Sequence, residues 1–194
     1  MSNAETKLTA GDKVLVGGAV LTIPSDLAET YQEGDLLIGI ASTRALLHVP
    51  ADQALIAQDA VTRAVNAFSE LGAIDQTRVT AFYESFADAL SDDLVFGRIA
   101  VANASDVESA RARGRSTTRL ELTPAMREDM IAGLRMWASS PTSVGRIEQT
   151  VVRDGMEVDL VRAPLGPVAF IFEGRPNVFA DATGVLRSGN TVVF

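Results

Sequence analysis

Between Pro164 and Phe194 the sequence leaves few folds open. The first half of this segment ends in the unbroken apolar run Val168-Ala-Phe-Ile-Phe172, the texture of a strand covered on both faces. Glu173-Gly-Arg-Pro-Asn177 interrupts the run and Val178 to Leu186 reads as a helix. Ser188-Gly-Asn190 reads as a turn, and Thr191-Val-Val-Phe194 as a second apolar strand. Strand, helix and strand in this order predict the opening of a parallel, nucleotide-binding α/β sheet. One such unit leaves a sheet edge open, so the sequence is expected to be a fragment, or to have its sheet completed by another polypeptide.

The residues before this unit fall into three textures. Thr150-Val-Val-Arg153 and Met156 to Val161 alternate around Asp154-Gly155, the dipeptide best suited to a two-residue hairpin turn, so a β-hairpin is expected over about 146–162. From about Ala51 the pattern is helical. Val61, Val65, Phe68 and Leu71 recur at helical spacing, as do Val79, Phe82, Phe86 and Leu90, with Gly72 and Asp75 as stop and start. A further helix is expected over Leu94 to Ala102. Ser105-Asp-Val-Glu108 has the form of a capping box opening another, which Gly114 closes. Thr123-Pro124 predicts a capped helix with Met126, Met130, Leu134 and Trp137 as its apolar stripe. Residues 1–50 read instead as a small β-rich appendage, with strands in Lys13 to Ile23 and Leu36 to Ile40 and Gly17-Gly18 as a turn. Residues 51–194 form the second part.

Composition narrows the function classes. The 194 residues carry a net charge of −8, which repels nucleic-acid phosphates and anionic lipid, so neither partner is expected. The longest apolar runs are too short to span a bilayer, and the first segment lacks a signal-peptide pattern; a cytoplasmic location is expected. With no cysteine, disulfides, thiolate metal sites and cysteine catalysis within these residues are excluded, and the single histidine excludes a histidine-rich metal site. His48, in Leu46-Leu-His-Val49, is expected to be a satisfied structural histidine. The arginines of Arg111-Ala-Arg-Gly-Arg115 are expected to be a solvated helix end.

Several blocks then carry a resemblance. Ile99 to Val107, Arg119-Leu-Glu-Leu-Thr123 with Ala132-Gly-Leu-Arg135, Ser143-Val-Gly145, and above all Pro164-Leu-Gly166 through Phe172-Glu-Gly-Arg-Pro-Asn-Val178 to Ser188-Gly-Asn190 resemble the γ-glutamyl phosphate reductase family of the aldehyde dehydrogenase superfamily. The resemblance covers residues from about 60 onward and implies an α/β, aldehyde-dehydrogenase-like fold: a helical layer, the start of a Rossmann-type sheet and an oligomerisation hairpin. It also implies NADPH-dependent reduction of an acyl phosphate to an aldehyde in proline biosynthesis, through a thioester on a cysteine outside these residues. A homo-oligomer formed through the 146–162 hairpin is implied as well. The family has no counterpart to residues 1–50, which leaves the acyl phosphate open. A non-catalytic scaffold and an NAD-dependent aldehyde oxidation are the alternatives.

On this reading Asn177, at the mouth of the helix, is the candidate oxyanion donor, with helix capping as its structural alternative. Phe172, Glu173 and Gly174 are candidate cofactor contacts at the strand's carboxyl end. Arg175 is a candidate for binding an anionic substrate, with a salt bridge to Glu173 as the alternative.

Overall fold

A computed structural model describes residues 8–194, and the chain forms two compact units that divide after Val61. The first contains two antiparallel hairpins, β1 (Lys13–Val16) with β2 (Ala19–Thr22) and β3 (Leu36–Ile40) with β4 (Ala45–Val49), and the short helix α1 (Ser25–Thr30). Gly17 and Gly18 take positive φ at the first hairpin's turn, the role expected of them. A side chain at Gly39 would overlap Val16, so glycine is what allows β1 to approach β3. Leu21, Ile23 and Leu27 form the buried apolar centre.

Asp35 organises the junction between β3 and the helix α2 (Ala51–Leu71). Its Oδ2 accepts hydrogen bonds from the Gln32 N–H at 2.8 Å and from His48 Nε2 at 2.6 Å, and its Oδ1 accepts from the N–H of Ala51, the first residue of α2, at 2.8 Å. His48 thus has the satisfied structural role expected, although its strand β4 was not foreseen. The His48 hydrogen bond, followed by those from Gln32 and Ala51, holds the Asp35 carboxyl below its ordinary range. A lowered folded-state pKa contributes stability above the unfolded value that is lost as pH falls through the folded one. Thermal melts at decreasing pH should therefore show a steeper loss of Tm below pH ~4 for the native chain than for Asp35→Asn, which lacks the titrating group.

The second unit takes up α2 from Thr62 and adds α3 (Gln76–Ser91), α4 (Asp93–Ala112) and α5 (Pro124–Ser139). The start signals act as read. Asp75 accepts from the Thr77 N–H, and Thr123 from the Met126 N–H with Pro124 in the first turn. α3 packs along α5, and Val79, Tyr83, Ala87 and Leu90 meet Met130 and Leu134 in the core, with Trp137 partly buried beside them.

One helix boundary is corrected. Ser105 does not cap a separate helix; it lies inside α4, whose start is capped by Asp92 accepting from the Leu94 and Val95 N–H groups. A capping box works only where the preceding backbone leaves the helix, and here it does not.

Tyr83 is fully buried, and its hydroxyl donates to the Thr183 carbonyl at 2.7 Å. Burial pushes its pKa up to about 12, against a smaller opposing influence of Arg187. The raised folded-state value means this contribution to stability is present below the unfolded pKa of 10 and is lost as pH rises toward about 12. Phenolate absorbance should show a step near pH 12 that Tyr83→Phe removes.

The chain continues through the hairpin β5 (Ile147–Arg153) and β6 (Met156–Val161), which turns at Asp154-Gly155 with φ of 43° and 82°. Both values are positive, as a two-residue hairpin turn of this kind needs. Every residue of the two strands is exposed. β7 (Pro167–Ala169), α6 (Val178–Ala182), a 3₁₀ turn (Thr183–Ser188) and β8 (Thr191–Val193) follow, and β7 pairs with β8 in parallel as expected.

Two details differ from the sequence reading. The expected helix over Val178 to Leu186 tightens into 3₁₀ geometry from Thr183. The strand expected to reach Phe172 ends at Ala169, and Ile171 is fully exposed. Among the described residues only β8 flanks β7, and after the Phe170 N–H bond to the Val193 carbonyl at 3.0 Å the run leaves the ladder, with Phe170 and Phe172 half-buried. No helix among the described residues is long and apolar enough to cross a membrane.

Candidate functional site

The loop from Phe170 to Asn177 leaves the carboxyl end of β7 and enters α6, the place where open parallel sheets hold ligands. Three of the residues singled out from sequence are tied to one another or to a neighbour here. Glu173 Oε1 accepts from Arg119 Nη1 at 2.5 Å and lies 3.5 Å from Arg175 Nε. The second contact is an ion pair and not a hydrogen bond, and Arg175 Nε is buried with no hydrogen-bond partner. Phe172 is half-buried, with its ring centroid 5.3 Å from that of Phe170. Gly174 is exposed, and a Cβ there would meet no atom within 4 Å.

Asn177 occupies the N-cap position of α6 but makes no capping hydrogen bond with its side chain. Its Nδ2 instead donates to Asp181 Oδ2 at 2.8 Å, one helical turn on, while its Oδ1 is buried and unpartnered. The amide orientation follows from chemistry, since the reversed amide would set its oxygen against a carboxylate. The amide borders a cleft of about 120 Å³ lined by Met126, Asp129, Met130, Gly133 and Trp137 of α5 and by Ala180 and Asp181 of α6. Two orphaned buried polar atoms, Arg175 Nε and Asn177 Oδ1, thus flank Pro176. A buried polar atom left unsatisfied costs ~1–3 kcal/mol, so both atoms are open to a further hydrogen-bond partner. Among the described residues no cluster of three histidine, cysteine or carboxylate side chains is disposed to hold a metal.

The segment between the 3₁₀ turn and β8 is held by residues that the sequence reading treated as a turn. Asn190, itself buried, accepts on Oδ1 from the N–H groups of Leu165 at 2.7 Å and Gly166 at 3.0 Å, latching the entry of β7 to the start of β8. Gly189 has φ +74°, and a Cβ there would lie 2.9 Å from Pro164 Cγ and 3.0 Å from Val144 Cγ2. Gly189→Ala combines left-handed strain with overlap against two packed side chains. A stability loss of ~2–3 kcal/mol is expected, read from the midpoint of urea unfolding.

The sequence reading missed Asp181 as well. Its signal was present, because a carboxylate four residues after an asparagine at a helix start falls on the same helical face.

No protein-family model matches the chain. Individual relatives do. The γ-glutamyl phosphate reductase of Nitrobacter winogradskyi is 39% identical over 150 residues, covering 74% of this chain and 34% of that protein. The same enzyme of Rhodopseudomonas palustris is 34% identical over 193 residues, covering 96% of this chain and 36% of its own length. The crystal structure of γ-glutamyl phosphate reductase from Thermotoga maritima superposes with a TM-score of 0.63 at 29% identity, over 70% of this chain and 33% of that one. The chain is homologous to γ-glutamyl phosphate reductase. It spans about a third of the length of these relatives. The Saccharomyces cerevisiae enzyme has a TM-score of 0.63 at 28% identity. The fold is therefore the aldehyde-dehydrogenase-like α/β class of the γ-glutamyl phosphate reductases, as the blocks around Glu173-Gly-Arg-Pro-Asn177 implied.

Proposed function

We propose that this chain supplies the front of the nucleotide-binding domain of a reductase that converts an acyl phosphate, γ-glutamyl phosphate or a close relative, to the aldehyde. What carries the reading is identity of 34–42% with γ-glutamyl phosphate reductases, together with the orphaned polar atoms at the loop leaving β7. The open space beside Gly174 and the half-buried Phe172 suit the flank of a dinucleotide, which supports Phe172, Glu173 and Gly174 as its contacts. NADPH, when bound, supplies the hydride.

This chain's own residues then have three tasks. The second Nδ2 hydrogen of Asn177 donates to the acyl oxygen as charge develops there, a role supported by its place at the mouth of α6. Arg175, balanced by Glu173 across 3.5 Å, attracts an anionic substrate group. The exposed hairpin β5–β6, bearing Val151, Val158 and Leu160, supports assembly into a homo-oligomer. The attacking thiol belongs to the part of the enzyme beyond these residues, since they contain no cysteine.

The test is a fusion of this chain to the remaining two thirds of the Rhodopseudomonas palustris enzyme, assayed beside the chain alone. The fusion should reduce NADP when given glutamate semialdehyde and phosphate, and the chain alone should turn over nothing. A folded, soluble fusion that is inactive, or that works with NAD and without phosphate, would reject the reading. The second outcome would point to simple aldehyde oxidation.

A further inference from the structure

We propose that the loop after α4 forms a binding site for the phosphate group of a small molecule, separate from the Asn177 cleft. A groove of about 590 Å³ lies between this loop and Glu173-Gly174. Arg113, Arg115 and Arg119 line it, with the hydroxyls of Ser116 and Thr118 and the carboxylates of Asp106 and Glu173. Three positive groups against two negative ones give this groove the opposite sign to a chain whose net charge is −8.

The arginines are not equally committed. Arg119 is held by Glu173, and Arg111, just outside the groove, pairs with Glu121 at 3.6 Å. Arg113 and Arg115 have no carboxylate partner among the described residues. A helix end accounts for part of this, because cations favour the carbonyl end of α4. It accounts for Arg111 and Arg113 but not for Arg115, which lies beyond the helix.

The backbone sets these two side chains in place. Gly114, at φ +66°, reverses the chain so that its N–H donates to the Arg111 carbonyl at 3.0 Å and the Arg115 N–H donates to that of Ala110 at 3.0 Å. This paired closure of a helix end fixes the relation of residues 113 and 115. Downstream, Asn103 clamps the same loop, its Nδ2 donating to the Leu120 carbonyl at 2.8 Å and its Oδ1 accepting from the Leu122 N–H at 2.9 Å. A loop pinned at both ends presents two unpaired guanidinium forks and two hydroxyls to one groove. That donor set suits the tetrahedral oxygens of a phosphate better than a flat carboxylate. Asp106 opposes the anion and limits affinity, so binding should be selective for groups of high charge.

The groove shares Glu173 and Gly174 with the proposed cofactor contacts, but the inference rests on Arg113 and Arg115, which the reductase reading does not use. The test is titration of the isotopically labelled 194-residue chain with inorganic phosphate at constant ionic strength, following backbone amide resonances. Saturable shifts confined to residues 113–120 and 173–174 are expected, weakened about fivefold by Arg113→Gln or Arg115→Gln and unchanged by Arg111→Gln. Acetyl phosphate and 2′-phosphoadenosine separate the two sources of such a group, a phosphorylated substrate or a phosphorylated cofactor, by which displaces phosphate at lower concentration. Shifts that fail to saturate, that chloride reproduces, or that Arg111→Gln weakens as much as the other two variants would overturn the proposal.

Discussion

Arg187→Ala should lower the stability of the 62–194 unit by ~3–5 kcal/mol, the largest loss expected of any single side chain here. Arg187 is 6% exposed, yet among the described residues no carboxylate pairs with it. Its charge is instead spread over neutral oxygens. Nε donates to the Trp137 carbonyl at 3.0 Å, and Nη2 donates to the Ala138 carbonyl at 3.1 Å and to Thr80 Oγ1 at 2.9 Å. Nη1 lies 3.4 Å from Gln76 Oε1. Trp137 and Ala138 stand in the last turn of α5, where carbonyls lack the regular helical partner, Trp137 accepting only from the Ser140 cap N–H at 3.3 Å, and the helix dipole is negative. One guanidinium therefore closes the end of α5, binds the start of α3 and stands 5.4 Å over the Tyr83 ring.

Alanine would remove the donors to the part-buried Trp137 and Ala138 carbonyls, leaving the first with only the Ser140 N–H at 3.3 Å, and would open a cavity beside Tyr83. Lysine would keep the charge but not the planar fork, so Arg187→Lys should recover less than half of the loss. Urea unfolding followed by circular dichroism measures both, with Arg135→Ala as the comparison. Arg135 is 61% exposed and 3.8 Å from Asp88, and its removal should cost no more than ~0.5 kcal/mol. Equal midpoints for Arg187→Ala and Arg135→Ala would contradict the account.

Arg187 also shows where sequence reading stops. In Leu186-Arg-Ser-Gly-Asn190 it looks like one more polar residue before a turn, because its partners lie 49 to 111 residues away in the chain. Local chemistry was legible wherever the physical cause was local. Asp75, Thr123-Pro124, Gly17-Gly18 and Asp154-Gly155 each act through hydrogen bonds or backbone angles within a few residues, and each does what its type dictates. Ser105 failed as a cap because the same residues serve a helix interior when the helix has already begun. Phe172 failed as a strand end because burial is decided by what lies across the sheet, which the run of apolar residues does not state. The same limit hid the partner of Asn177. Its place at the mouth of α6 was readable, but its preference for Asp181 over the cap N–H groups depends on the αR backbone at Asn177, which turns the amide along the helix.

That geometry makes the sharpest functional expectation. In the fusion carrying the relatives' remaining length, Asn177→Ala should lower kcat by ~10²–10³-fold with little change in KM, the effect of removing one donor to a developing oxyanion. The amide nitrogen carries two hydrogens. Asp181 takes one, and on the proposed reading the other donates to the acyl oxygen. On that reading Asp181 is the positioning residue of the amide. Asp181→Leu leaves the donor in place but free to rotate, so a smaller loss of about tenfold is expected, again in kcat. Asp181 is exposed, and the leucine variant should unfold within ~0.5 kcal/mol of the parent, which separates misplacement from collapse. The ordering of the two variants is what matters. Were Asp181→Leu as damaging as Asn177→Ala, the carboxylate itself would be needed at the reacting centre; were Asn177→Ala silent, the amide would be a structural contact and the oxyanion donor would have to be sought elsewhere.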